Sequence, residues 1–203
     1  SIRRSYTVAE LEREVDALAH GFLKLGLEKG DRVGIWSPNR YEWLLTQFAT
    51  ARVGIILVTI NPAYRVSEVE YVLNKVGCAA LVTASHFKTS DYLGMLEELA
   101  PELADCAPGA LSAAKLPSLK TVIRAGADAT PGMLNFDAVV DSGRDGDAAA
   151  LDTISATLTP DEAVADFVSV STIKDTAFEA GLDSRWRVTP ALGGPVAEVE
   201  RLG

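Results

Sequence analysis

The 203-residue sequence is poor in the residues that build metal and disulfide sites. It has two cysteines, Cys78 and Cys106, with twenty-seven residues between them, and two histidines, His20 and His86. No C-x-x-C pair occurs, so ligand count and spacing argue against a structural zinc site. Two thiols in a chain this long fit a reducing compartment, and the cytoplasm is the expected location. The longest apolar run, Gly54–Ile60, falls far short of the roughly 20 residues that span a bilayer. No secretory signal is expected, because the charged start Ser1-Ile2-Arg3-Arg4 is followed by no apolar stretch. The chain opens on Ser1 and not on Met, so processing, or a place within something longer, is expected. Basic charge is scarce as well: 19 Lys and Arg stand against 28 Asp and Glu, a net −9. That balance argues against a nucleic-acid partner and against polybasic attachment to a membrane. Aromatic residues are 7% of the chain, and Trp36, Trp43 and Trp186 have no basic groove that would make them a base-stacking array.

What is present is enough for a folded unit. A chain of this length buries about 70% of its extended surface without staples. The charge is uneven. Residues 1–77 hold ten Lys/Arg and nine Asp/Glu, whereas residues 78–203 hold nine and nineteen, so the acidic excess lies in the second part.

Periodicity gives the elements. Val8, Leu11, Val15, Leu18, Phe22 and Leu25 recur every three or four residues, with Thr7 and Glu10 as a capping box and Gly26 as a stop. Arg32–Trp36 reads as a buried strand. A helix opened by Pro38-Asn39 runs to about Val53, with Leu44, Leu45, Phe48 and Ala51 expected inward. The β-branched run Ile55–Ile60 reads as a strand covered on both faces. Ser67 and Glu70 suggest a second capping box for a helix carrying Val69, Val72, Leu73 and Val76 and ended by Gly77. Ala79–Thr83 is a third strand and Leu119–Ala125 a fourth, with helices expected at Ser90–Leu99, Asn135–Val140 and Ala148–Leu158. Apolar strands alternating with helices long enough for crossovers predict an α/β fold: a parallel sheet flanked by helices.

Single candidates carry little chemistry. His20 lies off the apolar stripe and reads as solvated surface. His86 follows a strand end and reads as structural, and Gly143–Asp147 reads as a flexible surface linker. Gly193-Gly194-Pro195 is a turn, because no strand and helix frame it. Ser5, Ser37 and Ser85 sit in no G-x-S-x-G elbow, so a hydrolase has no support.

Three segments taken together carry a resemblance. They are Tyr6–Leu11 (Y-T-V-A-E-L), Gly26–Asn39 (G-L-E-K-G-D-R-V-G-I-W-S-P-N), and Ala51–Leu81, which contains I-N-P-A-Y-R and E-Y-V-L-N-K-V-G-C. In register they resemble the N-terminal subdomain of the adenylate-forming acyl-CoA synthetases, and I-N-P-A-Y-R looks most like the medium- and long-chain fatty acyl-CoA branch. The likeness divides the chain into an N-terminal α/β subdomain at residues 1–166 and a diverged tail at 167–203. In that family these segments are scaffold, so Asp31-Arg32 and Asn61-Pro62 are expected to be turn chemistry at strand ends.

The resemblance implies an enzyme that adenylates a carboxylic acid with ATP and Mg2+ and passes the acyl group to CoA, with a fatty acid as the other substrate. Its phosphate loop, [ST]-S-G-[ST]-T-G-x-P-K-G, falls on Phe167–Lys174 (F-V-S-V-S-T-I-K). Ser169, Ser171, Thr172 and Lys174 are the implied phosphate-binding residues of a degenerate loop. Val170 and Ile173 replace its glycines and P-K-G is absent. Such loops hold phosphate with convergent backbone N–H groups, and a β-branched residue in a left-handed conformation costs roughly 1–2 kcal/mol. The adenine motif, the hinge and the C-terminal lysine are not found, so no catalytic residue is assigned.

Three functions stay open. The chain is the N-terminal part of a fatty acyl-CoA synthetase, incomplete and inactive alone, or a non-catalytic binding or oligomerisation module derived from that family. Otherwise it is a flavodoxin-like small-ligand binder with its site near Ser37, Asn61 and Ser85. Under the first two readings the unit exposes an apolar patch, for docking to the missing subdomain or for a homo-oligomer.

Overall fold

The computed structural model describes residues 5–159, 163–167, 186–189 and 198–201. In chain order the elements are α1 (Val8–Lys24), β1 (Arg32–Trp36), α2 (Tyr41–Arg52), β2 (Ile56–Thr59), α3 (Val66–Val76) and β3 (Ala80–Thr83). There follow β4 (His86–Phe87), β5 (Ser90–Asp91), α4 (Tyr92–Leu99), β6 (Thr121–Arg124), β7 (Leu134–Asn135), α5 (Phe136–Ser142), α6 (Ala148–Ser155) and β8 (Ala165–Phe167). A two-stranded antiparallel ribbon, β9 (Trp186–Thr189) with β10 (Glu198–Arg201), completes the described residues.

Six strands form one sheet in the order β7-β6-β3-β1-β2-β8, every pair parallel. The apolar strands Ile35, Leu57, Val58, Leu81 and Val82 are nearly inaccessible, as a sheet covered on both faces requires. On one face α1, α2, α5 and α6 enclose a core of Leu18, Phe22, Ile35, Leu45, Leu57 and Phe136. On the other, α3 and α4 cover Trp36, Val58, Val72, Leu81, Tyr92 and Leu96.

Local chemistry sets the ends. The Thr7 hydroxyl accepts from the Glu10 N–H and the Glu10 carboxylate accepts from the Thr7 N–H at 2.7 Å, the expected capping box. Gly77 ends α3 in a left-handed conformation, φ +64°. Asp31 accepts from the Glu28 N–H at 2.8 Å and Asn61 from the Ala63 N–H at 2.9 Å, both turn chemistry as expected.

Four expectations need correction. First, α3 starts earlier: the Glu68 carboxylate, not Glu70, accepts from the N–H of the cap residue Arg65 at 2.7 Å. Second, α2 buries Glu42, Leu45, Thr46, Ala49 and Thr50, and leaves Leu44 and Phe48 about 40% exposed, at 42% and 44%. Thr46 and Thr50 can face inward because their hydroxyls donate to carbonyls one turn back, at 2.7 and 2.9 Å. Third, His20 is buried, its Nε2 donating to the Asp147 carbonyl at 3.1 Å. Fourth, Gly143–Asp147 is no loose linker. A Cβ on Gly143 would collide with the Ala17 carbonyl of α1 and one on Gly146 with the His20 ring, so glycine lets this turn lie on the helix. Arg144 bonds both oxygens of Glu14, at 2.8 and 3.0 Å, and Lys24 pairs with Asp145.

Candidate functional site

Parallel sheets bind ligands beyond the carboxyl ends of their strands, where the chain switches direction. Here β1 lies between β2 and β3, and the helix after β1 covers one face while the helix after β3 covers the other. The switch point is therefore between the ends of β1 and β3. Ser37, Asn61 and Ser85 follow β1, β2 and β3 and so share this edge. β8 is parallel to β2, with Thr59 opposite Phe167, so its end reaches the same edge.

The groups gathered there are mostly engaged locally. Ser37 is buried, its hydroxyl donating to the Pro38 carbonyl at 2.9 Å, and Ser85 and His86 Nδ1 lie 3.0 Å apart. An ion pair that buries its carboxylate was not foreseen. Arg40 grips Glu42 in bidentate fashion, Nη2 to Oε1 at 2.8 Å and Nε to Oε2 at 3.1 Å, and the Glu42 side chain is 1% exposed. The Glu42 hydrogen bond holds the guanidinium pKa above its ordinary value. A buried carboxylate persists only when paired this way; the pair joins the cap residue of α2 to its first turn. The only hint in the sequence is an acid in a helix's first turn.

Arg124, at the end of β6, is likewise absorbed into structure. It bonds Asp128 at 2.7 Å and Thr130 at 2.8 Å, while its Nε has no partner among the described residues. Arg32 joins the start of β1 to the end of α3 through the Val76 and Gly77 carbonyls, at 2.7 and 3.3 Å. Burial pushes the Cys78 thiol up to about 12, too high for a nucleophile at neutral pH. Among the described residues no group of three or more His, Cys, Asp and Glu converges to hold a metal. The implied loop residues Ser169, Ser171, Thr172 and Lys174, and the turn Gly193-Gly194-Pro195, lie outside the described residues. The described residues form a scaffold that presents the carboxyl ends of β1, β2, β3 and β8 along one edge.

The sequence matches the family of AMP-binding enzymes over residues 1–166. The chain belongs to that family. Its likeness to the human medium-chain acyl-CoA ligase ACSF2, mitochondrial, is 53% identity over 137 residues, 68% of this chain and 22% of that protein. The chain thus spans about a fifth of the length of the curated relatives it matches, and it covers their N-terminal part. Among solved structures, acetoacetyl-CoA synthetase from Streptomyces lividans superimposes with a TM-score of 0.56 at 27% identity, over 68% of this chain and 20% of that one. The anthranilate CoA ligase AuaEII, in complex with anthranoyl-AMP, gives 0.58 at 21% identity, over 69% and 24%, a likeness of fold. The parallel sheet flanked by helices is thus the fold of adenylate-forming acyl-CoA ligases. No helix among the described residues is long and apolar enough to cross a membrane.

Proposed function

We propose that this chain is the N-terminal part of an ATP-dependent fatty acid–CoA ligase that works through an acyl-adenylate, and that it is inactive alone. The observation that carries the reading is the 53% identity to a medium-chain acyl-CoA ligase, within a family match that ends at residue 166. Its role in the whole enzyme is to hold the central strands and deliver β8 to the edge where the phosphate loop begins. Fatty acid, CoA, ATP and Mg2+ are then ligands of the longer polypeptide. Ser169, Ser171, Thr172 and Lys174 are remnants of its phosphate contacts, weakened by Val170 and Ile173 where the backbone needs glycine. The free cysteines support a reducing compartment, and the cytoplasm is our assignment, although the human relative is mitochondrial by name.

A chimera tests the reading. Residues 5–166 of this chain replace the matching stretch of the human ligase, and ATP–pyrophosphate exchange is measured with medium-chain fatty acids. Exchange within about tenfold of the parent, a cost of about 1.4 kcal/mol in transition-state stabilisation, is the expected result. A folded chimera with no exchange overturns it.

A further inference from the structure

Residues 143–158 lie in chain order between α5 and β8, and their helix α6 rests against both α1 and α2. Very little apolar surface holds them there. From 144 to 158 only Leu151 is buried. Ile154 packs partly against the same core, and Leu158 lies close over the Gly54 turn. The preceding helix α5 is shorter by one residue yet buries Phe136, Val139 and Val140. Burial of apolar side chains, the main source of hold for most covering helices, is thus small in this stretch.

Charged and polar ties take its place. Arg144 bonds both oxygens of Glu14 on α1, at 2.8 and 3.0 Å, and Asp145 pairs with Lys24 at the end of α1. Asp152 accepts from the Arg52 guanidinium at 2.6 Å, at the end of α2. Ser155 accepts from the same guanidinium at 2.8 Å and donates to the Arg52 carbonyl at 2.9 Å. Lys29 donates to the Thr157 carbonyl at 3.1 Å. Lys24, Lys29 and Arg52 belong to the basic first part of the chain and Asp145 and Asp152 to the acidic second part, so the uneven charge of the sequence meets across this contact. The side chains of Asp145 and Asp152 are 80% and 70% exposed. Ion pairs this exposed are weak singly and are screened by salt.

We propose that residues 143–158 are a charge-held strap, which opens from α1 and α2 as one unit while both cores stay folded, and which controls how firmly β8 is seated. A unit with few buried apolar groups and many exposed polar ties opens before the cores do. β8 pairs with β2 over three residues only, Leu57 with Ala165, Val58 with Asp166 and Thr59 with Phe167. It has no outer partner among the described residues. So short an edge strand has little hold of its own, and release of the strap that precedes it loosens it. The inference rests on contacts among the described residues and not on the ligase reading, so either can fail without the other.

The test is amide hydrogen exchange of the 203-residue chain, read by mass spectrometry at one pH in about 0.01 M and about 1 M NaCl, between which the screening length falls from about 30 Å to about 3 Å. Peptides covering 144–158 and 164–167 are expected to exchange several-fold faster at high salt, with peptides of β1 and β3 unchanged. At low salt Glu14→Arg and Arg144→Glu should each speed exchange of the same peptides by about two- to fivefold, the size of one exposed pair. The double variant, in which the pair is reversed, should regain protection. Lys24→Gln breaks a second pair and gives the same reading if the reversed pair does not fold. Exchange of 144–158 that is as slow as that of β3, or that ignores salt and all these variants, overturns the proposal. A strap that opens without any change at 164–167 overturns its control of β8, and faster exchange at every peptide would mean global unfolding and overturns the strap as a separate unit.

Discussion

At Trp36 two opposing effects meet on one side chain. The indole is fully buried and stacks on Tyr92 with ring centroids 3.8 Å apart, yet its N–H has no partner among the described residues. A buried unmade hydrogen bond costs about 1–3 kcal/mol, comparable with the packing lost when the smaller benzyl ring replaces the indole. Trp36→Phe is therefore expected to change stability by less than about 1 kcal/mol in urea unfolding, whereas Trp36→Ala should cost about 3–5 kcal/mol. A large loss in the Phe variant would mean the indole N–H has a partner in solution. Gly132 offers the opposite case. Its φ is +70°, and a Cβ there would run into the Leu103 carbonyl. Gly132→Ala adds backbone strain to overpacking, so a loss of about 3 kcal/mol or more is expected in the same measurement. Neither effect was legible in the sequence, which shows a tryptophan in a strand and a glycine in a turn but not the neighbours that decide them.

At the scale of elements, legibility followed burial. The long stripe of α1, the three central strands and the glycine stops were readable because one period dominates each segment. The two-residue strands β4, β5 and β7 carry no period, and β8 is only three residues long. α2 misled because Leu44, Leu45, Phe48 and Ala51 suggest an apolar face, while the packed face uses threonines whose hydroxyls the helix itself satisfies. His20 and the Gly143–Asp147 turn misled together: nothing local says that a polar turn more than a hundred residues away lies on α1. The cap of α1 is the element to test. Thr7→Ala removes the hydroxyl that accepts the Glu10 N–H, and a loss of about 1 kcal/mol is expected in thermal unfolding. The Glu10 carboxyl is held below its ordinary pKa by the Thr7 N–H first and the Thr7 hydroxyl second. Its contribution is present above the usual carboxylate range and lost as pH falls through the lowered value. The deficit of the Thr7→Ala variant should therefore be larger at pH 7 than at pH 3; an equal deficit at both would separate the cap from its charge.

For the whole molecule the decisive measurement is nucleotide binding. The family and the sheet were legible because the N-terminal pattern is complete, whereas the phosphate contacts we propose fall among residues 168–174, outside the described part. An intact site with a dissociation constant near 10 μM would stabilise the fold by about 2.7 kcal/mol at 1 mM ATP. Each kcal/mol is worth roughly 2–4 °C in Tm for a chain of this size, so a working site shifts the transition by about 5–10 °C. With Val170 and Ile173 in place of glycines, a shift below about 1 °C is expected in a thermal scan with Mg2+ and ATP. Several degrees with ATP, absent with inorganic tripolyphosphate, would show that Ser169–Lys174 still binds nucleotide.

The strand order also bears on synthesis. β1, β2 and β3 are neighbours in space and among the first strands made, and both cores are complete apart from the flank that Ala165 touches once α6 has been translated. Domains fold as units while the ribosome adds about 5–20 residues each second. A nascent chain of this kind is expected to assemble its centre before residues 168–174 leave the ribosome. A change confined to residues 168–174 would then leave that centre intact, and is expected to show in ligand binding rather than in the amount of protein a cell keeps.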